Sequence, residues 1–246
     1  MDRSVYVAMT GATQMMRAQA EVAHNLANAD TVGFKAQMSA FKPLPVQGQG
    51  MAARINGVAQ GIGQDLRAGA QMDTGRPLDV SVQGDGWLAV QGADGGEGYT
   101  RAGQLQLTAD GLLTDARGNP MMGDGGPITV PDATQISIGA DGTISVVPKG
   151  QGPDTSSVIG KLKLVNPAAG QLQEGDDGLM HLADGGVAQA DPAVTVKAGA
   201  LESSNVNPSQ TLVQMIQLSR QYELQVRSIR TADDNAQSAT RLLQVG

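Results

Sequence analysis

A chain of 246 residues has room for one or two domains, and its net charge of −7 with no basic run argues against a nucleic-acid surface. The absence of cysteine excludes disulfides, a thiol nucleophile and a thiolate metal site. With aromatic residues at 2% beside 33 glycines and 11 methionines, few large side chains are available for one deep core, which favours thin sheets and slender helix packing.

The chain opens on an amphipathic helix. Val5, Ala8, Ala12, Met15, Val22 and Leu26 follow three/four spacing, broken only by Gln19, and Met9, Met16 and Ala23 widen the stripe. Thr10 interrupts the apolar run and the helical pattern continues through Arg17, so the opening residues read as structure and not as a cleaved signal. No segment approaches the roughly 20 apolar residues of a membrane span, so no membrane insertion is expected.

Residues 36–75, rich in Gly, Gln and Ala with Pro43 and Pro45, read as an extended connector. Residues 76–200 change character. Short runs such as DVSVQ, WLAVQ, QLQLT, TISVV, KLKLV and AVTVK alternate with Asp-Gly pairs, among them those beginning at residues 85, 110, 141 and 177. Asp-Gly is a tight-turn signal because glycine accepts a positive φ without steric cost. The zone reads as an antiparallel β domain. Residues 201–246 return to helix: Asn207-Pro208 is a start signal. Leu212, Met215, Tyr222, Val226, Ile229, Ala236 and Leu243 then fall on a heptad seam with Ser219, Asp233 and Thr240 as its polar members. At about 1.5 Å per residue the second helix spans on the order of 55 Å and the first on the order of 40 Å. The predicted fold class is therefore α+β: two long terminal helices in a coiled-coil-like helical domain, with an antiparallel β domain inserted between them.

The residues offer little chemistry. His24 and His181 lie in different zones without metal-ligand spacing, and no nucleophile elbow or phosphate loop is present. Gly84, Gly86 and Ala89 in VQGDGWLAV have dinucleotide-fingerprint spacing, but a strand-like run follows where that motif needs a helix, so a hairpin is expected. EGDDG at 174–178 lacks the remaining ligands of a calcium loop and reads as a turn. Trp87, the single tryptophan, reads as the anchor of a small β core. No catalytic, cofactor-binding or metal residues are expected, and the chain is not expected to be an enzyme.

One segment resists a bland reading. AHNLANADTVGFK closes the first helix with Asn28, Asp30 and Thr31, which compete for backbone hydrogen bonds, and Gly33, which permits a tight backbone. It ends on an exposed-looking Phe34-Lys35. Asn25 sits inside the helix, where asparagine is a poor former, so a specific hydrogen bond is expected there, with another chain as the candidate partner.

NLANADTVGFK resembles the N-terminal signature of bacterial flagellar rod and hook proteins, an ANNLANxxTxGFK pattern in which His24 replaces the usual Asn. GRPLDVSVQGDGWLAVQ and EGYTRAGQLQLTADGLLTDARGNPMMGDGGPITVP resemble that family's central β domain, and LESSNVNPSQTLVQMIQLSRQYE its C-terminal signature. The opening MDRSVYVAMTGA, with Gly11-Ala12, and the closing DDNAQSATRLLQV are similar to the proximal-rod type; a distal rod or hook subunit is the alternative inside the family. A secreted β-rich hydrolase is the rival outside it, but it lacks candidate acids or a nucleophile.

The resemblance implies a structural subunit of the proximal rod of the flagellar basal body, stacked helically, with terminal helices lining the inner core and the β domain outward. It implies other rod proteins as partners, and export by the flagellar type III apparatus without a cleaved signal. Subunit contacts are expected at the seams and signatures: Val5, Ala12, Met15, Val22, Asn25, Leu26, Asn28, Thr31, Gly33, Phe34, Asn205, Leu212, Met215, Tyr222, Val226, Ile229 and Leu243.

Overall fold

The computed structural model describes residues 3–45, 55–150 and 155–244. The chain divides into two compact units: a helical unit of residues 1–29, 36–65 and 206–246, and a β unit of residues 30–35 and 66–205.

In the helical unit, α1 (Arg3–Ala27) packs against α2 (Pro208–Gln244). Asn207 starts α2. Its Oδ1 accepts from Gln210 N at 3.2 Å and its carbonyl from Thr211 N at 3.0 Å, while Pro208 occupies the first helical position. The face that α1 buries is made of small side chains, Ala8, Ala12 and Ala18, with Gln14 among them. A Cβ at Gly11 would lie 3.2 Å from the Gln225 side chain, so small residues let the two helices approach closely.

Residues 36–75 are more than an extended connector. Strand β1 (Gln37–Pro45) pairs antiparallel with β2 (Ile55–Gln64), and both belong to the helical unit. The register shifts between Met38, paired with Gly63, and Ser39, paired with Gly61, so Ile62 is the extra residue of a bulge. Pro43 and Pro45 are compatible with this ribbon because each strand of a two-stranded sheet keeps an unpaired edge. The ribbon escaped the sequence reading because INGVAQGIGQ is poor in strand formers; its order comes from cross-strand pairing, which has no local signature.

In the β unit all strand pairs are antiparallel. The largest sheet has five strands, in the order Leu164–Val165, Trp87–Gln91, Glu97–Thr100, Met180–Leu182, Leu172–Glu174. A second sheet has three: Ala133–Ile138, Thr143–Pro148 and Ser157–Lys161. Asp141-Gly142 turns between the first two of these, with Gly142 at φ 86°.

Side chains alternate along a strand, so Leu88 and Val90 enter one apolar cluster with Val80, Leu113 and Ile144, while Trp87 and Ala89 enter another with Tyr99, Val165 and Met180. The central strand is thus covered on both faces, which is why WLAV is continuously apolar. The expected hairpin around Gly84 and Gly86 is corrected. A strand does follow, but Val80–Gln83 pairs with Thr195–Ala198 and not with Trp87–Gln91. Asp-Gly marks where the chain turns, not which strands then pair.

Candidate assembly surface

The signature at the end of α1 is split between the two units. Within the helical unit, Asn25 faces the backbone of Gln37. Its Nδ2 donates to Gln37 O at 2.8 Å and its Oδ1 accepts from Gln37 N at 2.8 Å. Both ends of one amide are thus matched to one residue's backbone, which secures the first residue of β1 to the helix. The expected specific hydrogen bond exists, but its partner is the same chain. Asn28 closes the helix, its amide N and its Nδ2 both donating to His24 O, at 3.2 and 3.0 Å.

The rest of the signature belongs to the β unit, where the chain enters and leaves that unit. Gly33 N donates to Glu202 O at 2.8 Å, and Asn205 N to Phe34 O at 3.4 Å. Asn205 Nδ2 donates to Arg67 O at 3.0 Å. Gly33 has φ 70°, and a Cβ there would collide with the backbone of Arg101 and Ala102. Only glycine serves both demands.

Lys35 is not exposed: it is 4% accessible and Glu202 1%. Lys35 Nζ donates to Glu202 Oε1 at 2.6 Å and to Arg67 O at 2.8 Å. Arg101 Nη1 donates to Glu202 Oε2 at 2.9 Å and its Nη2 to Gly84 O at 2.9 Å. Gly69 N adds a third donor to the carboxylate at 2.9 Å. The Arg101 guanidinium also lies 5.2 Å from the Trp87 ring centroid. One buried carboxylate therefore joins the entering segment, the departing strand and the sheet. Sequence reasoning missed Lys35, Arg101 and Glu202 because a charged side chain carries no sign of burial until its partner, here 167 residues away, is known.

The seam residues occupy a middle position. Val5, Met15, Val22, Leu26, Met215, Tyr222, Val226 and Ile229 are half-buried, Ala12 is buried and Leu212 is exposed. Thr31, Gly33 and Phe34 are half-buried in the β unit. The side chain of Leu243 lies outside the described residues. Met9, Met16 and Ala23, expected to widen the stripe, point to solvent.

With Tyr6, the exposed Met9 and Met16 form a second apolar stripe on α1, and Val213, Ile216 and Leu224 form one on α2. Among the described residues, nine of the thirteen exposed large hydrophobic side chains belong to the helical unit. Sequence periodicity shows that the helices are apolar on more than one side; it does not show which side the partner helix covers.

No helix among the described residues is long and apolar enough to cross a membrane, and no group of His, Asp and Glu there has the geometry of a metal site.

Three family models match along the chain: flagella basal body rod protein over residues 5–35, flagellar hook protein FlgE/F/G D1 domain over 81–146, and flagellar basal body rod FlgEFG protein C-terminal over 197–242. The chain is 44% identical to the flagellar basal-body rod protein FlgF of Salmonella typhimurium and 45% identical to that of Escherichia coli, each comparison spanning 100% of both chains. It is 31% identical to the flagellar basal-body rod protein FlgG of Buchnera aphidicola, over 97% of this chain and 99% of the relative.

Proposed function

The chain belongs to the flagellar basal-body rod protein family, in its FlgF type, and from that premise we propose how it works as a structural subunit of the proximal rod: the outer faces of α1 and α2 are the surfaces by which it joins its neighbours. One observation carries this reading. Among the described residues, the buried apolar side chains of the helical unit are three alanines, whereas its exposed faces carry Tyr6, Met9, Met16, Val213, Ile216 and Leu224. A helix gains most of its stability from burying its apolar stripe, and α2 buries no apolar side chain among those described. Neighbouring subunits supply the missing cover. A head-to-tail contact that does not close into a ring builds a helical stack.

Other rod subunits are the partners, and the basal body is the location. The chain acts as a building element, in keeping with relatives that are named flagellar basal-body rod proteins. Export proceeds through the flagellar type III apparatus without a cleaved signal, and helices that are marginal in the free subunit ease passage through a narrow channel. The 44–45% identity to the FlgF proteins of Salmonella typhimurium and Escherichia coli, against 31% to the FlgG protein of Buchnera aphidicola, supports the proximal over the distal rod.

The test is mass spectrometry of purified hook–basal bodies from cells carrying wild-type chain, Ile216→Asp or Leu224→Asp. The proposal expects wild-type chain in the particles at lower abundance than the distal rod protein. It expects both variants to be soluble, absent from the particles and non-motile. Motile cells with either variant incorporated would remove the outer faces from the assembly surface.

A further inference from the structure

The hairpin formed by Leu172–Glu174 and Met180–Leu182 is weakly attached to its sheet. Its backbone register with the neighbouring strand Glu97–Thr100 is a single pair, Met180 with Tyr99. His181 supplies a second attachment. Its Nδ1 lies 3.1 Å from Glu97 O, and its Nε2 lies 3.1 and 3.0 Å from the two carboxylate oxygens of Asp177 in the turn.

Both partners are acceptors only. A carbonyl and a carboxylate can each be satisfied only if both ring nitrogens carry protons, which is the imidazolium. A neutral ring has one N–H, so one of the two contacts would set acceptor lone pairs against each other. We infer that His181 is a proton-dependent clasp that holds the 175–178 turn to strand Glu97–Thr100 when charged and releases it when neutral.

The surroundings are built for the ring. A Cβ at Gly98 would lie 3.3 Å from His181 Cε1, and one at Gly175 would lie 2.7 Å from Cδ2 and 2.9 Å from Nε2. The turn is itself closed by Gly175 N to Leu179 O at 2.8 Å and Leu179 N to Asp177 Oδ1 at 3.0 Å.

The charges facing the site favour the closed form. Asp177 bears directly on the ring, and Asp94 is close by: a Cβ placed on Gly92 would lie 3.0 Å from Asp94 Oδ1 and 3.3 Å from Asp177 Oδ2. The Glu97 carboxylate is neutralised by Lys163 at 2.7 Å. Arg117 is a second cation near the turn, and it is directed at the Asp177 and Gly178 carbonyls. Leu179 and Met180 enter different apolar clusters, so opening the turn loosens the edge of the sheet where the two meet.

The test is hydrogen exchange of the full-length chain at about pH 5.5 and about pH 8, corrected for the intrinsic pH dependence. Protection of residues 172–182 should fall about tenfold or more at the higher pH, the weight of a charge-assisted hydrogen bond, while Trp87–Gln91 stays unchanged. Asp177→Asn should abolish the difference, because an amide can turn either its donor or its acceptor toward the ring. Asp177→Asn also answers the question if His181→Gln does not fold. Equal wild-type protection at both pH values would overturn the clasp, as would an undiminished difference in Asp177→Asn or a single-proton ring at acidic pH by nitrogen NMR.

Discussion

The two units bury themselves in opposite ways. Among the described residues, the β unit encloses 26 buried apolar residues between Val80 and Leu201, among them Trp87, Leu88, Tyr99 and Ile144, whereas the helical unit encloses Ala8, Ala12 and Ala18. Their charges differ as well: 18 Asp and Glu against 9 Lys and Arg in the β unit, 6 against 8 in the helical unit. A fully buried Leu, Val or Ile contributes about 1.5–3 kcal/mol, and an alanine far less. On the proposed reading the β unit is finished as a single copy, and the helical unit is finished by its neighbours.

Breaking the β unit should have the largest effect. Glu202→Ala leaves Lys35 and Arg101 buried without their shared carboxylate and should cost about 3–5 kcal/mol, read as a lower unfolding temperature by Trp87 fluorescence. Trp87 is the only tryptophan, so this signal reports the β unit alone. Gly33→Ala forces a side chain into a positive φ and into the Arg101 backbone, costing about 1–3 kcal/mol in strain before the collision is counted, by the same readout.

Asn25→Ala strips one amide from Gln37 and should cost about 1–3 kcal/mol. The loss should appear as faster hydrogen exchange in β1, with Trp87 fluorescence unmoved. Leu224→Asp is exposed in the single chain, so its stability should change by less than about 0.5 kcal/mol; its effect lies in motility.

The pH response sharpens the contrast at the smallest scale. Burial pushes the Asp177 carboxyl up, but the Leu179 N–H and the His181 contact outweigh it and hold the group below the ordinary aspartate value. A lowered folded value adds stability that is present above the ordinary range and is lost as pH falls through the folded value. Acid should therefore loosen the Asp177 turn through its carboxylate, opposite in sign to the loosening by base through His181. Asp177→Asn should remove both limbs from an exchange profile.

The α+β architecture was legible because its signals are local. Helical periodicity marked α1 and α2, Asn207-Pro208 marked the start of the second, and Asp-Gly pairs marked turns. What was not legible is pairing. Val80–Gln83 takes its partner from residues 195–198, more than a hundred positions away, and β1 with β2 is held by register with little help from strand propensity. In the signature, Asn25 was recognisable as a residue needing a partner because asparagine disfavours helix interiors, yet which backbone it meets depends on the tertiary fold. Lys35 and Glu202 gave no such hint, since each alone is an ordinary surface residue.

The most direct measurement is thermal unfolding of the soluble single chain followed by two probes: far-ultraviolet circular dichroism at the helical band, and Trp87 fluorescence. The account predicts that the helical signal is lost well below the Trp87 transition, with the β unit outlasting α1 and α2. A single coincident transition, with helix content matching both long helices up to that temperature, would contradict it: the helical unit would then be complete without its neighbours.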